Sequence, residues 1–278
     1  MKRVFVSGAF DDPRSLHLRF LQEAAALGPL TVLLWPDEAL RSLSLSVPKM
    51  GLSERRYYLE ALRYVDKVEV ASANLDPDRL PSEDRDVIWA VSAAIGGEND
   101  APNAAKRSWC RAVGIELREL SASELSRFPY AAPPLDAPVA SGRKRVIVTG
   151  CYDYLHTGHL RFFEEASEYG ELNVVIGSDA NVRFLKGEGH PLFSESERRF
   201  VVGSFKAVAR CLVASGKGWL DAEPEIRALG IQRYVVNEDG DKPEKKRYCE
   251  TAGIEYIVLK RTPKEGLPRR SSTDLRGY

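Results

Sequence analysis

The chain has 278 residues, of which 44% are hydrophobic and 29% are charged, as in ordinary soluble globular proteins. Its 40 basic and 40 acidic side chains give a formal net charge of zero. This balance argues against binding to nucleic acid or to an anionic membrane surface, but it is compatible with a local phosphate-binding pocket. No apolar run approaches the length of a membrane span, and the four cysteines form no CxxC pair. We therefore expect a cytoplasmic protein with two domains and reduced thiols.

Strand and helix patterns alternate along both halves of the chain. Short β-branched runs predict strands, and apolar residues at helical spacing predict the helices between them. The predicted strands are 4–8, 30–35, 86–91, 115–120, 145–150, 172–178, 232–239 and 255–260. The predicted helices are 18–28, 53–65, 104–114, 158–170, 196–208 and 244–253. The fold class is therefore α/β, with two Rossmann-like, doubly wound parallel sheets whose ligands bind beyond the carboxyl ends of the strands.

The two halves of the chain repeat each other in sequence. The run VFVSGAFDDPRSLHLRFLQEA (4–24) aligns with VIVTGCYDYLHTGHLRFFEEA (146–166), and eight of the seventeen positions from Gly8 to Ala24 are identical. Further matches follow in the same order, which indicates tandem duplication. A segment rich in proline and alanine separates the copies and predicts a semi-rigid linker. We expect domains at 1–126 and 144–278, with the linker at 127–143.

The end of the first strand of the second half begins the candidate site. Gly150 closes the strand, and the loop after it carries Cys151, Tyr152 and Asp153. A carboxylate in such a loop either caps a turn or holds Mg²⁺ through water, so both roles remain open for Asp153.

The next four residues, His156-Thr157-Gly158-His159, open the following helix. A helix N-terminus presents unpaired N–H groups and partial positive charge, which suit a phosphate. Gly158 allows the backbone to approach closely, and both imidazoles can donate hydrogen bonds to phosphate oxygens. These properties favour nucleotidyl transfer, in which charge develops on the α-phosphate and on the leaving pyrophosphate.

The run GCYDYLHTGH resembles the HxGH signature of the nucleotidyltransferase superfamily that includes cytidylyltransferases, and the resemblance extends over both halves. The tandem layout and the GCYD run are most similar to ethanolamine-phosphate cytidylyltransferases. The run NEDGDKPE, which begins at Asn237, instead resembles adenylyltransferases that make ADP-heptose. The resemblance implies transfer of CMP from CTP, or less favourably of AMP from ATP, to a small phosphorylated or phosphonate acceptor with Mg²⁺ as cofactor.

Two alternatives to CMP transfer remain open. One is an adenylyltransferase that acts on a sugar phosphate, and the other is a catalytically silent nucleotide-binding regulatory protein. Neither alternative involves nucleic acid or a membrane as a partner.

The same resemblance implies roles for individual residues. His156 and His159 would stabilise the α-phosphate transition state, Lys186 would contact the nucleotide phosphates, and Arg198 would contact the nucleotide. The remaining implied nucleotide-binding positions are Gly150, Cys151, Tyr152, Asp153, Gly158, Asn237, Ser271, Ser272 and Thr273.

The last of these positions lie in the run RTPKEGLPRRSSTDLRGY, which is similar to a family segment whose hydroxyl groups hold the β- and γ-phosphates. Eight residues separate Thr262 from Ser271, more than in the family. Arg261, Arg269 and Arg270 are therefore alternative candidates for the arginine of this segment.

The first half departs from the signature at its most specific positions. Arg14 stands where the second half has His156, Leu16 replaces Gly158, and no lysine matches Lys186. We therefore expect a degenerate copy that does not catalyse the same reaction. The resemblance suggests that it packs on the second half as an internal pseudo-dimer partner, with a homodimer as the alternative assembly.

Overall fold

In a computed structural model that describes residues 1–44, 48–81, 85–95, 102–135, 137, 142–272 and 275, ten strands form two five-stranded parallel sheets. The chain divides into two units, Met1–Phe128 and Pro129–Tyr278. The predicted α/β class with two doubly wound parallel sheets is confirmed. None of the helices in the described part of the chain has the length and hydropathy that a membrane span requires.

The first unit builds its sheet in the order β3-β2-β1-β4-β5. Its strands are β1 (Arg3–Gly8), β2 (Leu30–Leu34), β3 (Lys67–Val70), β4 (Val87–Val91) and β5 (Glu116–Glu119). Its helices are α1 (Ser15–Leu27), α2 (Asp37–Ser44), α3 (Leu52–Glu60) and α4 (Ala104–Val113).

The second unit has the same strand order when it is read from the opposite edge, β10-β9-β6-β7-β8. Its strands are β6 (Arg145–Gly150), β7 (Glu171–Ile176), β8 (Arg210–Val213), β9 (Arg233–Asn237) and β10 (Glu255–Leu259). Its helices are α5 (Thr157–Glu168), α6 (Asp179–Lys186), α7 (Glu195–Gly203), α8 (Glu223–Leu229) and α9 (Pro243–Ala252).

The central strands are largely apolar because helices bury both faces of each sheet. Every residue of β2 and of β4 is buried, as expected for a parallel sheet that helices cover on both sides. The strand order reverses between β1 and β4 in the first unit, and between β6 and β9 in the second. This reversal opens a crevice at the carboxyl ends of the central strands, which is the usual ligand position in such folds.

Two strands and three helices were not anticipated from sequence. The edge strands β3 and β8 have only four residues each, and helices α2, α6 and α8 have seven or eight. The predicted helices at 53–65 and 196–208 were too long. Helix α3 ends at Glu60 and helix α7 ends at Gly203, several residues before the edge strands β3 and β8 begin. Short edge strands contribute too few residues for a clear period-two pattern.

Three residues of the proline- and alanine-rich segment form hydrogen bonds with β8 of the second unit. The Cys211 backbone N–H donates to the Tyr130 hydroxyl oxygen at 2.8 Å, and the Arg210 guanidinium donates to the carbonyl oxygens of Pro133 and Pro134 at 3.1 and 2.8 Å. The segment therefore lies along the outer edge of β8.

Replacement of Gly170 by alanine tests the tight turn between α5 and β7. An added Cβ would lie 2.1 Å from the Lys144 carbonyl oxygen, which neither backbone can accommodate without moving. We expect Gly170→Ala to lower the free energy of unfolding of the second unit by about 1–3 kcal/mol, measured by urea denaturation. Gly240→Ala is the control, since its Cβ would meet only Val236 Cβ at 3.8 Å. Equal stability of the two variants would contradict this explanation.

Candidate active site

A cavity of about 340 Å³ opens at the carboxyl ends of β6 and β9 in the second unit. Gly150 at the end of β6 and Asn237 at the end of β9 line its floor, and His156 and His159 line the wall that the start of α5 provides. The structure thus brings the HTGH run to the point where the strand order reverses.

The two histidines of this run cap α5 through a reciprocal pair of hydrogen bonds. The Gly158 backbone N–H donates to His156 Nδ1 at 3.1 Å, and the His156 backbone N–H donates to His159 Nδ1 at 3.3 Å. The ring centroids are 4.0 Å apart. Because each Nδ1 accepts a hydrogen bond, each neutral ring carries its proton on Nε2 and can donate it to a phosphate oxygen.

Both glycines of the motif are required by neighbouring aromatic rings. A Cβ on Gly158 would lie 3.0 Å from the His156 ring, and a Cβ on Gly150 would lie 2.9 Å from the Tyr152 ring. The two glycines thus leave room for the protein's own rings, and close approach of a phosphate to Gly158 stays a prediction.

The Tyr152 ring packs edge-on against the His159 ring. Its backbone φ is +49°, in the left-handed region that few non-glycine residues adopt. The Tyr152 ring meets His159 edge-on at 5.6 Å and Phe163 at 5.2 Å. Burial raises the pKa of the Tyr152 hydroxyl well above its usual value. Tyr152 is therefore a neutral wall of the cavity that restricts the orientation of His159.

His159 is held in its neutral form. Burial lowers the pKa of His159 well below its usual value of 6.5, and electrostatic interaction with the neighbouring His156, Arg261 and Lys186 lowers it further. A neutral imidazole still donates through Nε2, so the ring remains a hydrogen-bond donor across the physiological pH range.

Asp153 organises the loop that precedes α7. Its carboxylate accepts hydrogen bonds from the backbone N–H groups of Leu192 at 2.8 Å and Phe193 at 3.0 Å, and His190 Nδ1 lies 3.8 Å away. Among the described residues, no group of three or more histidine, cysteine, aspartate or glutamate side chains is arranged to hold a metal ion. The Asp153 carboxylate thus holds the turn, and a contact with Mg²⁺ through water stays a prediction.

The structure does not bring Arg198 into the cavity. Its guanidinium is fully buried and donates to the carbonyl oxygens of Phe193, Cys151 and Gly177 at 3.0, 2.7 and 2.8 Å. It also pairs with the Asp179 carboxylate at 2.7 Å. Four acceptors from four segments engage this side chain, so its position fits a residue that shapes the cavity walls better than one that contacts nucleotide.

Lys186 and the C-terminal segment complete the opposite rim of the cavity. Lys186 lies at the end of α6, and Ser272 donates its hydroxyl to the Tyr154 carbonyl oxygen at 3.1 Å; both line the cavity. Ser271 is half-buried beside it, and Thr273 lies outside the described residues.

Of the three candidate arginines, the structure places Arg261 in the cavity. Its guanidinium pairs with Asp239 at 2.9 Å and donates to the Arg270 carbonyl oxygen at 3.3 Å. Arg269 and Arg270 line an adjacent pocket that shares Arg261 with the main cavity.

Lys245 is a cavity residue that the sequence pattern did not predict. It reaches the cavity from α9, with Nζ 5.6 Å from the Tyr234 ring, and burial lowers its pKa. In the charge-rich run DKPEKK it reads as a solvated helix residue. The available signal was the repeat itself, since Lys106 occupies the matching position of α4 and lies 5.6 Å from the Trp89 ring.

Three features of the fold and the site are typical of an HxGH nucleotidyltransferase. They are the reversal of strand order, the histidine-capped helix and the cluster of cationic side chains. Residues 147–276 match the family described as cytidylyltransferase-like. The chain belongs to this family, and the second unit is a nucleotidyltransferase, which confirms the superfamily assignment made from sequence.

Several known proteins are similar to this chain in sequence or in structure. An FAD synthase from Aciduliprofundum boonei is 34% identical over 138 residues, which are 48% of this chain and 84% of that protein. A "Bifunctional protein HldE" from Citrifermentans bemidjiense is 30% identical over 177 residues, 62% of this chain but only 31% of that protein. The chain therefore spans about a third of this longer relative. The crystal structure of a lipopolysaccharide core biosynthesis protein from Thermoplasma volcanium aligns with this chain at a TM-score of 0.37 and 24% sequence identity. The alignment covers 45% of this chain and all of that protein.

Replacement of Arg198 by lysine distinguishes the two roles of this residue. Lysine cannot reach four separated acceptors, so buried carbonyl oxygens would lose their donors. We expect Arg198→Lys to destabilise the second unit by about 3 kcal/mol or more without nucleotide present, measured by urea denaturation. Arg55 makes the matching buried contacts in the first unit, so Arg55→Lys is the matched variant for comparison. Unchanged stability together with lost nucleotide affinity would instead make Arg198 a nucleotide ligand.

The low pKa of His159 makes a prediction about stability and pH. The unfolded chain takes up a proton at this histidine near pH 6.5, whereas the folded protein resists protonation there. Stability should therefore fall as the pH drops below 6.5, by up to roughly 1.4 kcal/mol per pH unit from this group. In denaturation series between pH 7.5 and 5.5, His159→Asn should lose less stability than the wild type. Parallel curves would contradict the shifted pKa.

Proposed function

We propose that the second unit transfers AMP from ATP to a small phosphorylated acceptor, with release of pyrophosphate. The observation that carries the proposal is the reciprocal histidine cap of α5, whose two rings line a cavity together with Lys186, Lys245 and Arg261. Preorganised donors and cations of this kind suit a reaction in which charge develops on phosphate oxygens.

The reaction follows from this arrangement. A phosphate oxygen of the acceptor attacks the α-phosphorus of the nucleotide, the bond from this phosphorus to the β-bridging oxygen breaks, and pyrophosphate departs with the electron pair. His156 and His159 donate hydrogen bonds to the α-phosphate oxygens as their charge rises, and neither gives up its proton. Lys186 and Arg261 would neutralise the β- and γ-phosphates together with the N–H groups at the start of α5.

Magnesium would enter with the nucleotide. The Asp153 carboxylate is engaged by two backbone N–H groups, and the described residues do not form a resident metal site. Mg²⁺ is commonly bound through substrate phosphates and water with few protein ligands. We therefore treat the metal–nucleotide complex as the substrate.

The choice of ATP rests on relatives and on one segment. FAD contains an adenylyl group, so similarity to an FAD synthase supports an adenine nucleotide as donor. The run from Asn237 to Glu244, which resembles ADP-heptose-forming enzymes, contributes Asn237, Asp239 and Gly240 to the cavity. CTP is the second candidate, because residues 147–276 match a cytidylyltransferase-like family.

Pyrophosphate release by the intact protein tests the proposal. ATP and CTP would be compared with Mg²⁺ against flavin mononucleotide, sugar phosphates, phosphoethanolamine, phosphocholine, glycerol phosphate and simple phosphonates. We expect release that depends on ATP and on one acceptor class, and a loss on the order of 10²–10³ in kcat for His156→Ala. Arg14→Ala, at the matching position of the first unit, is the control.

Three other outcomes have distinct meanings. CTP-dependent release would replace the donor and leave the mechanism intact. Near-full activity of His156→Ala would refute the role of the histidine cap. Nucleotide binding without release with any acceptor would favour a regulatory protein.

A further inference from the structure

The first unit also contains a cavity at the carboxyl ends of its central strands. It measures about 190 Å³ and lies between β1 and β4, where the strand order reverses. Every residue that lines it has a counterpart, in the alignment of the two units, that lines the cavity of the second unit. Examples are Ser7 with Thr149, His17 with His159, and Ser92 with Asn237.

The resemblance extends to the hydrogen bonds behind this wall. Asp11 accepts from the backbone N–H groups of Lys49 and Met50 at 2.8 and 2.9 Å, as Asp153 does from its own loop. The Arg14 backbone N–H donates to His17 Nδ1 at 3.1 Å, so the neutral His17 ring carries its proton on Nε2. The loop of the first unit therefore keeps the shape of a ligand-binding turn.

Apart from His17, several positions that match the proposed phosphate-binding residues of the second unit carry other side chains. In the alignment of the two units, Leu16 matches Gly158, Ser44 matches Lys186, and Ala122 matches Arg261. Arg14, in the place of His156, pairs with Asp12. Within the described residues, neither lysine nor arginine lines this cavity. A triphosphate in this cavity would meet no lysine or arginine among the described lining residues.

What remains is a pocket with apolar walls and neutral polar groups. Phe10, Phe20 and Val91 provide the walls, and Ser7, Ser92 and His17 provide hydroxyl and imidazole groups. The Ser7 hydroxyl oxygen accepts from Trp35 Nε1 at 2.6 Å, which leaves its proton for another acceptor. Such a lining suits a planar heterocycle with hydroxyl substituents.

We propose that the first unit binds an uncharged nucleoside in this cavity and does not hold a nucleoside triphosphate. The identification of a nucleoside, rather than another neutral ring compound, rests on the proposed nucleotide site of the second unit. The first unit keeps a neutral polar lining in this cavity, including His17 in the place of His159, and has no counterpart of the cations Lys186 and Arg261.

Binding stoichiometry on the full chain tests this inference. Radiolabelled adenosine, cytidine, guanosine and uridine, and the triphosphates ATP and CTP, would be measured by equilibrium dialysis. Cys151→Leu fills the cavity of the second unit, and Ala9→Leu is the matched change at the equivalent position of the first. We expect Cys151→Leu to abolish triphosphate binding but to retain one nucleoside site per chain, and Ala9→Leu to lose that site.

The opposite pattern would overturn the inference. If Cys151→Leu abolished all nucleoside binding, or if Ala9→Leu left the stoichiometry unchanged, the first cavity would be empty of nucleoside. Ser92→Leu serves as a second blocking variant if circular dichroism shows that Ala9→Leu fails to fold. Nucleoside binding to Cys151→Leu, combined with absence of triphosphate binding to the wild type, would support the inference while refuting the proposed transferase function.

Discussion

A buried arginine holds together the loops that form the cavity. Arg198 joins the turn after β6, the end of β7, the start of α6 and the loop before α7 by donating to Cys151, Gly177, Asp179 and Phe193. A parallel sheet leaves the carbonyl groups at its carboxyl edge without partners from the next strand, and these must be satisfied if they are buried. A planar guanidinium with five fixed donors can serve several of them at once. The arrangement of the loops at the carboxyl ends of the strands thus depends on the Arg198 side chain.

In the histidine pair, one set of hydrogen bonds serves both the stability of α5 and the proposed chemistry. Capping the exposed N–H groups of α5 through Nδ1 stabilises the helix and at the same time fixes the proton on Nε2. The first unit keeps the cap through His17 but has lost the partner histidine. A histidine at this position is therefore explained by the helix alone, and its presence in the first unit does not by itself indicate catalysis.

The two units share a frame and differ in charge. Arg55 repeats the contacts of Arg198, donating to Met50, Ala9 and Trp35, and Asp11 repeats those of Asp153. The cations differ, since Lys186 and Arg261 face the larger cavity only. Loss of a surface cation costs a fold little, whereas loss of a buried multivalent arginine costs several kcal/mol. The frame can therefore persist in a unit whose phosphate-facing groups have changed.

The sequence by itself determined the α/β class and the central strands, and it indicated where the candidate site lies, because buried parallel strands and an HTGH turn leave local patterns of a few adjacent residues. It also indicated a nucleotidyltransferase. It did not determine the short edge strands β3 and β8, the contribution of Lys245, or the position of Arg198. Those features depend on contacts between segments tens of residues apart, such as Arg198 with Cys151 and Gly177. Only the tertiary structure decides whether a charged side chain lines a cavity or is consumed by buried carbonyl groups, because the two placements look alike along a chain.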